Sequence, residues 1–305
     1  MAQKRKVEAV SGTQPTPEQV AAAALNEQGY LFHHKVLTVL HSSRQNKRCS
    51  HEWEIDASEV PVSLPNGKET RIDIVLRHGP EQGVPWRAVL ECKRAAREYK
   101  RWVFFADDEC SRGPSPRQYY TERAKLAGSW NGQGEPNMSH GVEASRASAG
   151  CQVLAYGIEA RVERPGSNKK FSATDAIEDA FRQVTLGQAG LALQLRNACA
   201  LSFRLVPVVL TTAELMSARF DIDRVTLDHG TIEPKDLKLE ARKWLAVNYH
   251  VSDVVCQFSR FTSNRTTSIA GHLASWQVRT VFVVQAAHIE PFLAWLEKSF
   301  PGVER

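Results

Sequence analysis

Asp73, Glu91 and Lys93 lie within one stretch, RIDIVLRHGPEQGVPWRAVLECKR from Arg71 to Arg94, and their types and spacing suit them to hold a hard cation beside a phosphate. Two carboxylates opposite one another on paired strands repel unless a positive charge sits between them. A divalent cation with oxygen ligands meets that condition, and Mg2+ is typically held by one or two carboxylates, several waters and phosphate oxygens. Lys93, about 7 Å along the strand from Glu91, would then orient or stabilise an activated water.

The elements that must bring these groups together are two strands. Ile72, Ile74 and Leu76 alternate with Arg71, Asp73, Val75 and Arg77; Trp86, Ala88, Leu90 and Cys92 alternate with Arg87, Val89, Glu91 and Lys93. Gly79, Pro80, Gly83 and Pro85 punctuate the loop between them, so the stretch reads as an antiparallel hairpin. Period-two alternation puts Glu91 and Lys93 on one face and Cys92 on the other. A loop centred near Gln82 sets Asp73 directly opposite Glu91, with Cβ atoms roughly 4.5–5.5 Å apart.

The tripeptide Glu-X-Lys also occurs as Glu98-Tyr99-Lys100 and Glu233-Pro234-Lys235. Neither closes an apolar strand, and Pro234 would remove a ladder donor from a central one. The alternative for Glu91 is an ordinary surface hairpin with a polar outer face. An aspartate on one strand followed by Glu-X-Lys on the next resembles the PD-(D/E)XK, or restriction-endonuclease-like, nuclease superfamily. The resemblance implies that Asp73 and Glu91 bind Mg2+, or Mn2+ in its place, that the Cys92 backbone carbonyl adds a ligand while its side chain is buried, and that Lys93 assists the attacking water. It also implies a first helix that sends an acid to the metal. Glu27 is the candidate, although the usual place for that acid, after the Gly-aromatic turn, holds His33.

Composition is compatible with this and does not require it. The chain has 305 residues, 42% hydrophobic and 24% charged, with a net charge of +5, the profile of a globular protein with a sizeable core. No apolar run reaches the length of a membrane span and no signal peptide opens the chain, so a cytoplasmic location is expected. Cysteines 49, 92, 110, 151, 199 and 256 form no CxxC pair, which argues for reduced thiols and against a zinc module.

Taken in order, residues 1–15 read as a basic, flexible arm carrying Lys4-Arg5-Lys6. Thr16, Pro17 and Gln19 mark a helix start with a capping box, and the helix should run to Leu40 with a break near Gly29. His51 to Ile55 reads as a short strand, and Pro61 to Lys68 as turn. After the hairpin, residues 95–171 read as a long insertion. In it Arg117, Tyr119, Tyr120 and Arg123 would bind substrate by stacking on bases and pairing with phosphates, or else pack locally. Ser172 to Asp175 has capping-box spacing, and the helix that follows should bury Ile177, Phe181, Val184, Leu191 and Leu195, with Gly187 and Gly190 allowing close approach to a sheet. By resemblance Gln183 on this helix lies near the site; a surface glutamine is the plainer alternative. Arg204 to Thr211 reads as a buried strand, in conflict with Pro207 at a central position.

The fold expected is therefore α/β: an α-β-β-β-α-β restriction-endonuclease-like core over residues 16–212, a mixed central sheet flanked by helices, with an α/β extension over 213–305. In the extension, Arg224 to Leu227 reads as strand, Pro234 to Ala246 as helix, Val278 to Gln285 as buried strand, and the last segment as a helix carrying Ile289, Phe292, Leu296 and Phe300. Arg260, Arg265 and Arg279 would either bind phosphate or form a solvated face. The resemblance implies a Mg2+-dependent endonuclease acting on DNA, with RNA left open, in microbial restriction or phage defence, as a homodimer or with a partner subunit. The competing expectation is a non-catalytic nucleic-acid- or protein-binding subunit on the same scaffold.

Overall fold

The computed structural model describes residues 15–27, 29–45, 51–64, 66–79, 84–95, 101–105, 118–126, 138–146, 153–154, 156–160, 175–198, 202–256 and 277–299. Two short helices open it, α1 (Pro17–Glu27) and α2 (Tyr30–Gln45). Thr16 Oγ1 accepts from the Gln19 amide at 3.3 Å, and Gln19 Oε1 accepts from the Thr16 amide at 2.9 Å. This is the capping box read from the sequence. The break falls at Gly29, whose φ of +68° suits glycine.

Three antiparallel strands follow, β1 (Glu54–Ser63), β2 (Glu69–His78) and β3 (Trp86–Lys93). β1 starts later than expected and continues through Pro61 to Ser63; as an edge strand it tolerates a proline. The turn is confined to the Asn66-Gly67 region, where Asn66 Oδ1 accepts from the Lys68 amide at 3.1 Å.

The segment expected as an insertion supplies strands to two sheets. These are β4 (Arg101–Phe105), β5 (Gln118–Leu126), β6 (Met138–Arg146), β7 (Val153–Leu154) and β8 (Tyr156–Ala160). Helix α3 (Asp175–Asn197) then leads to β9 (Phe203–Thr211) and β10 (Glu214–Phe220). The chain closes with β11 (Leu237–Arg242), β12 (Trp244–His250), α4 (Asp253–Cys256), β13 (Val278–Gln285) and α5 (Ile289–Ser299). Among the described residues the main sheet runs β1-β2-β3-β9-β13-β12-β7, with β5 on β9 and β6 on β5, and a second sheet runs β11-β10-β4-β8. The molecule is thus α/β with a mixed sheet flanked by helices. Among the described residues no helix is long and apolar enough to cross a membrane.

Two apolar layers cover the main sheet. Val75, Val89, Leu205, Val209 and Val283 join Ile177, Phe181, Val184 and Leu191 of α3, together with Trp102 and Phe104 of the second sheet. Ile74, Leu76, Leu90, Val208 and Phe282 join Val36 and Leu40 of α2 and Ile289, Phe292 and Leu296 of α5. Ile72 departs from the expected alternation: it lies in the α3 layer while Ile74 lies in the other. The strand therefore changes face at Asp73.

Several other expectations need correction. Arg224 to Leu227 is not a strand; Ile222–Arg224 is a 3-10 turn, followed by a single bridge between Thr226 and Thr231. Residues 234–246 do not form an α-helix: a 3-10 turn at Pro234–Asp236 leads into β11 and β12, whose residues are held by pairing with β10 and β13. Arg279 is neither solvated nor open to phosphate; it is fully buried beside Glu122, and burial pulls its guanidinium down despite the nearby charge. Arg260, Arg265, Phe300 and the Ser172 cap lie outside the described residues. Pro207 is accommodated in a central strand because one edge of β9 changes partner there: β5 pairs with residues 203–205, β13 with residues 208–211.

Helix α3 approaches the sheet through its glycines. A Cβ on Gly190 would stand 2.7 Å from Val62 Cγ2, and one on Gly187 would stand 2.9 Å from Ile72 Cγ1. Gly190→Ala should therefore lower stability by about 1 kcal/mol, since an overpacking penalty of about 1–3 kcal/mol outweighs the ~1 kcal/mol gain in helix propensity. Chemical denaturation measures this, and because Val62 Cβ would itself stand 2.8 Å from the new methyl, adding Val62→Ala should not return the loss.

Candidate active site

The hairpin register is the one expected: Ile74 opposes Leu90, and Val75 opposes Val89. One step further along, Asp73 meets the end of β3 around Glu91 and Cys92. Asp73 Oδ2 accepts from the Cys92 amide at 2.7 Å. Lys93 Nζ lies 2.9 Å from Glu91 Oε1 and donates to Gln183 Oε1 at 2.5 Å. The structure therefore brings Asp73, Glu91, Lys93 and Gln183 together, and Gln183 is not merely a surface side chain.

The backbone around these groups is fixed from both sides. β3 is paired with β2 on one edge and runs parallel to β9 on the other, from Trp86 with Arg204 to Lys93 with Thr211. Beyond it, the Lys93 carbonyl accepts from the Thr212 amide at 3.3 Å, and Thr212 Oγ1 accepts from the Ala95 amide at 2.9 Å.

The electrostatics are those of two acids forced together. Glu91 is 7% exposed, and burial, with the Asp73 charge second, raises its carboxyl to about 7 against the opposing pull of Lys93. Asp73 is also raised, chiefly by burial, although the Cys92 amide and His33 act the other way. The Cys92 thiol, half-buried against the α2 and α5 layer, is pushed well above the usual range by burial and then by Asp73 and Glu91.

Two further residues stand at the site that sequence reading did not assign to it. In the β1–β2 ladder Ser58 opposes Ile74 and Val60 opposes Ile72, so Glu59 falls opposite Asp73 and extends the acids into a row across three strands. Glu59 Oε1 lies 3.1 Å from His33 Nδ1, and Glu59 Oε2 lies 2.8 Å from an Arg71 guanidinium nitrogen. His33 follows the Gly29 turn at the place where an acid was sought; that position was the available signal. Glu27 closes α1, and its side chain lies outside the described residues.

Of the residues expected to bind substrate, Gln183 reaches this centre, whereas the tyrosines offer no open face. Tyr119 is wholly buried, with its ring 5.4 Å from that of Phe282, so it has no face for a base; Tyr120 is likewise buried at 2% exposure. Arg123 is half-buried in β5 opposite Arg204, and Arg117 lies outside the described residues. Among the described residues, no three His, Cys, Asp or Glu side chains are gathered where they could together hold a metal ion. No protein-family model matches the chain, and neither a curated protein nor a solved structure matches it.

The raised carboxyl has a consequence for stability. Glu91 in the fold holds its proton up to about 7, whereas an unfolded glutamate releases it near 4.3. The unfolded state therefore binds fewer protons between these values, and stability falls as pH rises through that window. Glu91→Gln removes the penalty: its stability should match wild type at pH 4 and exceed it by up to about 3 kcal/mol at pH 8 without divalent cations. Urea denaturation at the two pH values reads the difference.

Proposed function

We infer that the chain is a Mg2+-dependent endonuclease that hydrolyses DNA phosphodiester bonds, a cytoplasmic enzyme of microbial restriction or phage defence in which Mn2+ can replace Mg2+. The observation that carries this reading is the meeting of Asp73, Glu91 and Lys93 at the end of one strand pair, with Glu91 held up to about 7. The resemblance to PD-(D/E)XK nucleases supplies the reaction class, and the order α2, β1, β2, β3, α3, β9 around the site is compatible with the core expected of that superfamily.

The donor set fits a hard divalent cation. Two carboxylates that burial and mutual repulsion keep from ionising together are relieved by a cation between them, and Mg2+ needs only one or two carboxylates when water and phosphate complete its shell. Asp73 and Glu91 would hold it, with the Cys92 carbonyl beside them. When bound, the cation would supply an activated water and charge compensation at the phosphate.

The protein's own groups do the rest. The Cys92 amide fixes one Asp73 oxygen. Gln183 and Glu91 hold the Lys93 ammonium, so that it can orient the water and meet negative charge developing on the phosphate without first paying for reorganisation. Hydrolysis then joins the water oxygen to phosphorus and releases one ester oxygen. A homodimer, or a partner subunit, would allow both strands to be cut.

Plasmid, linear and single-stranded DNA, and RNA alongside, test the reading with Mg2+ or Mn2+. Cleavage should require the cation and fall at least about a hundredfold in Asp73→Ala and Lys93→Ala, within the range for losing a group that acts on proton transfer or charge. Saturating Mg2+ at about 100 times its Kd should stabilise wild type by about 2.7 kcal/mol and leave Asp73→Ala unchanged. Cleavage equal in all three proteins would refute it. The engagement of Lys93 by Glu91 favours, as a second reading, a non-catalytic binding subunit; DNA binding without cleavage or cation-dependent stabilisation is its signature.

A further inference from the structure

Glu59 sits in a backbone conformation its residue type disfavours. Its φ is +54° within β1, and among the described residues it is the one non-glycine with a positive φ. Such a conformation is unfavourable for an L-residue, and strain of this kind persists where the surroundings hold it and gathers at functional sites. Its pair with Arg71 does not account for it, because that arginine side chain is 66% exposed and exposed ion pairs contribute little.

The pair with His33 is different in kind. The His33 side chain is 9% exposed, and its Nδ1 lies 3.1 Å from Glu59 Oε1. The other ring nitrogen, Nε2, is buried without a hydrogen-bond partner, although buried polar atoms are ordinarily satisfied. A carboxylate on one imidazole nitrogen fixes the tautomer and leaves the other nitrogen as a lone-pair donor.

We propose that Glu59 is a positioning residue: it accepts the Nδ1 proton of His33, locks the ring as the Nδ1–H tautomer, and keeps Nε2 as a buried acceptor for a group that enters the site. The strained backbone is what sets the Glu59 carboxylate within hydrogen-bond distance of His33 Nδ1. This rests on the reading of the site as a nuclease centre, but its first test does not require activity.

The 15N imidazole shifts of His33 at pH 8, assigned with His33→Gln, report the tautomer. Wild type should show Nδ1 protonated and Nε2 bare; Glu59→Gly should show a mixture; and Glu59→Gln, which keeps an acceptor oxygen, should restore the wild-type pattern. Glycine adopts positive φ freely, so the thermal midpoint of Glu59→Gly should equal or exceed that of wild type while kcat for DNA cleavage falls at least tenfold with KM unchanged. A wild-type ring protonated on Nε2, an unaltered tautomer in Glu59→Gly, or a midpoint that falls in step with activity would overturn the proposal. If wild type does not cleave DNA, the nuclease reading fails, and the shifts and the midpoint still decide whether Glu59 sets the tautomer.

Discussion

Burial of Glu91 against Asp73 is the constraint on which the site depends. Two carboxylates taken out of water at adjoining positions of a hairpin oppose folding whenever both are charged, and the structure meets this with two compensations. The Cys92 amide serves Asp73 and the Lys93 ammonium serves Glu91. They do not suffice, since Glu91 stays near 7. A site left short of positive charge by its own fold is one that a cation or a cationic ligand stabilises.

The sheet makes that shortage tolerable. β3 is an interior strand with Val89 packed in one apolar layer and Ala88 and Leu90 in the other, and its end is tied to Thr212. Local distortion lies in the edge strand β1, where Glu59 takes a positive φ, and in its neighbour β2, which changes face between Ile72 and Ile74. An edge strand can absorb such irregularity because only one neighbour must follow it.

Much of this was legible from residues 71–94. Alternation along β3 and glycine- and proline-rich punctuation made the hairpin and its register legible, whereas the change of face at Asp73 did not follow from the pattern. What escaped was set by tertiary context. Nothing in the residue type of Glu59 announces a left-handed backbone, and Pro61 suggested a turn where an edge strand tolerates it. Tyr119 and Arg279 carry the side chains of a nucleic-acid surface, but long-range pairing of β5 with β9 and of β13 with β12 puts them inside. Leu237 to Val247 contains apolar residues that satisfy either period, and pairing partners far along the chain chose the strand.

Helix α3 connects packing to chemistry. Gln183 and Gly187 are four residues apart, so they share a helix face. Gly187 brings that face so close to Ile72 and Val89 that a Cβ does not fit, and one turn earlier the same closeness lets the short Gln183 side chain reach Lys93. A bulkier residue at 187 would lift the helix from the sheet and draw the Gln183 oxygen away from the ammonium. The position of Lys93 is in this way set by a glycine that touches none of the charged groups, which is why helix-to-sheet distance and the electrostatics of the acids cannot vary independently in this fold.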